Sequence, residues 1–195
     1  MELKVKVVKW AEAYELLLKL ARKVAGSGYK PDLIVGISRG GYTPARVLSD
    51  LLDVGEVASL AIRFYSDVAE REAKPRVTQP VSAPVRGRRV LLADDVADTG
   101  ESLKAAIRHL RRRGAAEVRI ATMHKKPWSS VTPDYYVEET DAWIVYPWEY
   151  MEFCKSAIRR MASEGRRMEE VRAYLSSIGI DAEVVEMAIK SAAEG

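Results

Sequence analysis

Asparagine is missing from this 195-residue chain, glutamine occurs once, at Gln79, and cysteine once, at Cys154. A single cysteine excludes an internal disulfide. With no CxxC partner and no neighbouring histidine, Cys154 reads as a small buried apolar residue and not as a nucleophile. Scarce amides beside abundant Glu, Arg and Lys fit the composition of heat-adapted proteins and say nothing about the reaction. Charge of one sign is also lacking: 31 Lys and Arg against 28 Asp and Glu leave +3. The two signs interleave as on solvated helix faces, so nucleic acid is not the expected partner. No apolar run approaches a membrane span, and MELKVKVVKW holds none long enough for a signal peptide. The expectation is a soluble cytoplasmic protein with no membrane partner.

With 48% hydrophobic and 30% charged residues the chain can bury one sizeable core, so one domain with an appendage is expected. Tyr14, Leu17, Leu18 and Ala21 recur at helical spacing, predicting a helix over about residues 9–25 that ends at GSG. DLIVGI (32–37) predicts a strand closed by SRGG, and a second helix begins at Thr43-Pro44. VASLAIRF (57–64), RRVLLAD (88–94) and EVRIATM (117–123) read as further strands, with Leu103, Ala106, Ile107 and Leu110 lining the helix between the last two. Alternating strands and helices of this kind indicate an α/β fold with a parallel sheet covered on both faces. Ligands of such sheets bind beyond the carboxyl ends of the strands. Both unusual loops, SRGG and DDVADTG, fall there.

Two stretches do not follow the alternation. From Tyr65 to Gly87 there are three prolines and no sustained period, and residues 63–89 carry seven Lys or Arg against three Asp or Glu. A flexible lid or hood over an anionic substrate is expected there, with an antiparallel excursion at the sheet edge as the plainer alternative. After Tyr150 two or three short amphipathic helices, punctuated by Gly165 and Gly179, form a C-terminal extension. The expected division is therefore 1–150 and 151–195.

The segment VLLADDVADTG (90–100) carries the chemistry. A buried strand delivers Asp94 and Asp95 to the sheet edge, where carboxylates accept hydrogen bonds from vicinal hydroxyls or approach a hard cation. ADTGES then turns into a helix whose first N–H groups have no internal partner, which makes a phosphate cradle. Thr99 and Ser102 add hydroxyls, and Gly100 lets the backbone approach an anion closely. Taken singly, the Asp pair is equally a plain metal or capping site and Asp98 a helix cap. The combination is far more specific than a lone glycine-rich loop.

This segment resembles the phosphoribosyl pyrophosphate (PRPP) signature of type I phosphoribosyltransferases. IVGISRGGYTPARVL resembles that family's pyrophosphate loop, and HKKPWSS with DYYVEETDAWIVYPWE is similar to the purine-binding end of bacterial xanthine-guanine phosphoribosyltransferases. The likeness covers about residues 30–150 and implies the type I fold, Mg2+ as cofactor and transfer of 5-phosphoribosyl from PRPP to guanine, hypoxanthine or xanthine. A nucleoside monophosphate and pyrophosphate would be the products, and a homodimer or larger homo-oligomer the assembly. Carried over by position, Asp94 and Asp95 would meet the ribose hydroxyls and the metal, and Ala97, Asp98, Thr99, Gly100, Glu101 and Ser102 would hold the 5-phosphate. Asp98 would serve as acid or base at purine N7. Ser38, Arg39, Gly40 and Gly41 would hold pyrophosphate, with a cis Ser38-Arg39 peptide and Arg39 stabilising the developing charge. Lys126 would donate to purine O6, with Lys125 as its competitor, Trp143 would stack on the base, and Ile144 would offer backbone groups to its 2-position. Glu149 stands where the relatives have Asp near the base and metal, so it is a third candidate metal ligand. The rival readings are a PRPP- or nucleotide-sensing regulatory protein of the same fold and a pyrimidine or orotate phosphoribosyltransferase. No helix-turn-helix pattern supports the first, and Lys126 and Trp143 argue against the second.

Overall fold

Leu33, Ile34 and Val35, and Val90 through Ala93, are wholly inaccessible to solvent, as central parallel strands covered on both faces must be. The computed structural model describes residues 4–65 and 74–193. In chain order the elements begin with β1 (Val5–Val7), α1 (Trp10–Gly26), β2 (Leu33–Ser38), α2 (Tyr42–Leu51), β3 (Val57–Tyr65), β4 (Lys74–Gln79) and β5 (Arg89–Ala97). They continue with α3 (Glu101–Arg112), β6 (Glu117–Lys125), β7 (Tyr135–Glu139), β8 (Trp143–Val145), α4 (Tyr150–Ser163), α5 (Met168–Ser177) and α6 (Ala182–Ala193).

The chain forms two compact units, one of residues 14–141 and one of residues 1–13 with 142–195. In the larger unit six strands lie in the order β4-β3-β2-β5-β6-β7, parallel throughout except for β3 with β4. From β2 the chain moves through α2 to β3 on one side. From β5 it moves through α3 to β6 on the other. The order thus reverses between β2 and β5, and the crevice beyond their carboxyl ends is where an open α/β sheet binds ligands. Beneath it, Val35, Ile37, Leu60, Leu92, Leu103 and Leu110 form one apolar core.

The expected structureless stretch over 65–87 is corrected for its second half. Residues 74–79 form β4, antiparallel to β3, and Val81 and Val85 are buried in the core. Alternation of partly buried and exposed residues along β4 marks an edge strand with one face on the protein. The Val81 N–H then donates to His109 Nε2 at 3.2 Å, and the Ser82 N–H to the Ser59 carbonyl at 3.0 Å. The remainder of the expected hood, residues 66–73, lies outside the described residues.

In the smaller unit β1 pairs in parallel with β8, Val5 opposite Trp143 and Val7 opposite Val145. α4, α5 and α6 close around Cys154, Ile158, Val171, Leu175 and Val185, with Val5 and Val7 against the same cluster. Three helices, α4, α5 and α6, occupy residues 150–193. The units nevertheless divide at 13/14 and 141/142 and not at 150, because β1–β8 pairing and this shared core tie the N-terminal strand to the helices. Cys154 is buried, and burial pushes its thiol up to about 11, which leaves it unreactive. Among the described residues no helix is long and apolar enough to cross a membrane.

Candidate active site

β2 ends at Ser38, and the chain turns through Arg39, Gly40 and Gly41 into α2, with a cis peptide between Ser38 and Arg39. The turn is close to its neighbours. A Cβ at Gly40 would overlap the Asp95 carboxylate, and one at Gly41 would overlap the Ala93 carbonyl and the Ile37 backbone. Gly36, which the sequence did not single out, is equally confined: a Cβ there would lie 2.6 Å from the Gly41 carbonyl oxygen. The Gly41 N–H closes the turn onto the Ile37 carbonyl at 2.7 Å. Ser38 and Arg39 line a cavity of about 510 Å3 together with Tyr42, Arg63 and Tyr65. Arg63 thereby adds a second guanidinium to the lining of this cavity, a residue that the sequence did not single out.

β5 carries the acidic pair further along the strand than its apolar run suggested, ending at Ala97. Side chains alternate along a strand, and the two carboxylates part accordingly. Asp94 faces a cavity of about 190 Å3 shared with Phe64, Asp98, Thr99, Gly100 and Ser102. Asp95 is 7% exposed, lies under the Gly40 backbone and accepts the Val96 N–H at 2.8 Å. Burial, and after it the neighbouring Asp95 carboxylate, push the Asp94 carboxyl well above the usual carboxylate range.

Gly100 caps α3 in the left-handed conformation, φ 85°, with no side-chain cap. Asp98 is therefore not the helix cap. Glu101 sits in the first turn of α3 and Arg111 and Arg112 in the last, matching the helix dipole. The turn is fastened from outside by the segment that follows β6. Lys126 N–H donates to the Ala97 carbonyl at 2.9 Å, Ser130 N–H and Oγ donate to the Thr99 carbonyl at 3.1 and 2.6 Å, and a Cβ on Gly100 would crowd Ser130 Oγ at 2.9 Å. On the inner side, Glu101 N–H reaches Thr99 Oγ1 at 3.3 Å.

Lys125 ends β6 and Lys126 follows it, and their surroundings differ. Lys125 Nζ bonds Glu139 Oε2 on β7 at 2.8 Å, whereas Lys126 is 5% exposed and within the electrostatic influence of Asp98 and Asp141. Burial is the largest influence on Lys126 and holds its ammonium below the usual lysine range. Trp128, unassigned from sequence, donates its indole N–H to Asp98 Oδ1 at 2.9 Å. Its position two residues after Lys126 in the quoted KKPWSS was the available signal.

The remaining candidates belong to the smaller unit. Trp143 is 54% exposed on β8, its N–H bonded to the Lys4 carbonyl at 2.7 Å, and it borders a groove with Glu149 and Phe153. Ile144 is buried. Glu149 is taken up at the start of α4, where Oε1 accepts the Tyr146 N–H at 3.1 Å. Among the described residues no group of three or more His, Cys, Asp or Glu forms a metal cage. Asp94, the carboxylate that faces the cavity, still suits Mg2+, which needs only one or two carboxylates and completes its octahedron with substrate and water oxygens.

The chain is 31% identical over 145 residues to the xanthine-guanine phosphoribosyltransferase of Idiomarina loihiensis, spanning 73% of this chain and 85% of that one. It is 30% identical over 151 residues to the enzyme of the same name from Cereibacter sphaeroides, with the same coverage. Among solved structures, the purine phosphoribosyltransferase of Pyrococcus horikoshii superposes with a TM-score of 0.68 at 38% identity, over 75% of this chain and 94% of the other. The family model for the phosphoribosyl transferase domain matches residues 6–152, from β1 to the start of α4. With the strand order, the glycine turn at the start of α3 and the acidic pair of β5 beside it, this match shows that the chain belongs to the phosphoribosyl transferase family.

Proposed function

We propose that this chain is a 6-oxopurine phosphoribosyltransferase, which joins a purine base to the phosphoribosyl group of PRPP and releases pyrophosphate. One observation carries the reading. At the carboxyl ends of β2, β5 and β6, within one unit, lie an arginine-bearing glycine turn, a carboxylate beside a phosphate-sized cavity, and a buried lysine near Asp98.

The chemistry follows from those groups. The N–H groups at the start of α3 and the hydroxyls of Thr99 and Ser102 bind the 5-phosphate and fix the ribose. Asp94, with Asp95 as the neighbouring carboxylate, would hold Mg2+, and the ion would supply charge neutralisation for the leaving pyrophosphate. Arg39, with Arg63 lining the same cavity, stabilises the negative charge that grows on pyrophosphate as the glycosidic bond lengthens. Asp98 takes the proton from purine N7 while N9 bonds to the anomeric carbon. Lys126 donates to the 6-oxo group and selects against adenine. Trp143, open to solvent on its own unit, presents the aromatic face that base stacking requires.

The test is pyrophosphate release from PRPP and Mg2+ across guanine, hypoxanthine, xanthine, adenine, uracil and orotate. Turnover with the oxopurines and little with the others is expected. Turnover confined to orotate or uracil, or to none, overturns the reading.

A further inference from the structure

The indole of Trp128 makes two contacts at the site that neither the sequence motifs nor the proposed chemistry uses. Its Nε1–H donates to Asp98 Oδ1 at 2.9 Å, and the Lys126 ammonium lies 5.4 Å from its ring centroid. The backbone explains how the ring is delivered. β5 and β6 stay in register to their last residues, Ala97 opposite Lys125. The next residue, Lys126, donates its N–H to the Ala97 carbonyl, and Ser129 N–H turns back to the Lys126 carbonyl at 3.0 Å. Ser130 then bonds the Thr99 carbonyl. Trp128 is thus held at the apex of a turn fastened at both ends to the segment that carries Asp98. Yet its side chain is 56% exposed, so apolar burial does not explain its presence.

We propose that Trp128 is a positioning residue for the transfer step. Resting on the proposed activity, it holds one oxygen of Asp98 so that the other faces the purine N7 proton. A carboxylate on an exposed turn otherwise rotates about its side-chain torsions, and only some orientations meet the proton within hydrogen-bond reach. The indole N–H, which donates and cannot accept, removes that freedom without competing for the proton. The same ring offers its π face to Lys126, placing the donor to the base and the acid/base residue against one rigid side chain.

Two variants separate these contacts. Trp128→Phe keeps an aromatic face and loses the donor. It is expected to lower kcat about tenfold, with the KM for PRPP and the preference for oxopurine over adenine unchanged. Trp128→Leu loses both contacts and is expected to flatten the base preference as well. In an Asp98→Asn background, Trp128→Phe is expected to add almost nothing, because the group it positions is already disabled. A readout independent of turnover is the indole N–H resonance of Trp128, assigned by its loss in Trp128→Phe. It is expected to move on Asp98→Asn and not on Lys125→Met, whose ammonium bonds Glu139 and not the indole. Full activity in Trp128→Phe, additive losses in the double variant, or an indole resonance indifferent to Asp98 overturns the positioning role and leaves the proposed reaction standing. Failure of the unaltered protein to release pyrophosphate with any purine overturns the proposed function, and the positioning role with it.

Discussion

Gly40 lies so close to Asp95 that a single methyl group on its Cα would overlap the carboxylate. The pyrophosphate-type turn after β2 and the acidic end of β5 are therefore one packed unit, although 55 residues separate them in sequence. Their junction sits at the point where the strand order reverses, so the steric demand at Gly40 is also a demand on the site.

Gly40→Ala is expected to displace either the turn or the Asp95 side chain. Overpacking of this kind costs about 1–3 kcal/mol. Urea unfolding should show a lowered midpoint and initial-rate assays at least a tenfold loss of pyrophosphate release. An unchanged midpoint with an unchanged rate would show that the turn yields freely and does not define the site.

Asp98→Asn is expected to cut turnover by roughly 10²–10⁴, the range for a lost acid or base, with nucleotide affinity nearly unchanged. The amide keeps the size of the side chain and can still accept from Trp128, so the loss isolates proton transfer. Single-turnover rates and equilibrium nucleotide binding measure the two parts separately.

Lys126→Met is expected to flatten the preference of 6-oxopurines over adenine by lowering oxopurine efficiency. A lysine offers only donors, and adenine would turn its own amino donors toward it. A buried unsatisfied polar group costs about 1–3 kcal/mol, which predicts at least tenfold discrimination in the unaltered protein. Comparing kcat/KM for guanine and adenine checks this. Lys125→Met, whose ammonium belongs to Glu139, should leave the ratio alone.

Stability should fall with acidity through His109. Burial, and less so the Arg113 charge, hold its protonated form down, and its Nε2 accepts the Val81 N–H as a neutral ring must. An unfolded chain takes up the proton first as pH falls. The stabilisation is thus complete above the ordinary histidine value of 6.5 and is lost as pH falls through the lower folded value. Urea midpoints between pH 8 and pH 5 (values chosen to span roughly the histidine range) should drop for the unaltered protein. They should drop less for His109→Gln, which offers an acceptor and does not titrate.

Removal of residues 151–195 is expected to destabilise the smaller unit. Val5, Val7 and Val145 share their core with Cys154, Ile158 and Val171, and truncation would leave that apolar face uncovered. Analytical ultracentrifugation and thermal melts should report aggregation or an early transition. A soluble truncated chain melting like the whole protein would show that the larger unit suffices.

Local signals in the chain were strong enough to place the elements that carry the candidate site. The buried runs 33–37 and 90–93 announced central strands, and DDVADTG announced a strand end turning into a helix, because strand period, helix start and glycine at positive φ are properties of neighbours along the chain. Residues 74–87 were less legible. Three prolines hid an edge strand whose pairing with β3, and whose burial of Val81 and Val85, depend on residues about 10 to 25 positions away.

The sequence by itself determined the likeness to the family, the run of α1, β2, α2, β3, β5, α3 and β6, and which residue types gather at the strand ends. Tertiary structure alone decided how they are shared out. Asp94 faces the cavity it shares with Thr99 and Ser102 while Asp95 lies beneath Gly40, Lys126 and not Lys125 comes under the electrostatic influence of Asp98, and β1 joins the C-terminal helices through β8. The Trp128–Asp98 hydrogen bond shows the physical reason. It spans 30 positions and exists because β5 and β6 keep register to Ala97 and Lys125, where a slip of one residue would turn every side chain to the other face.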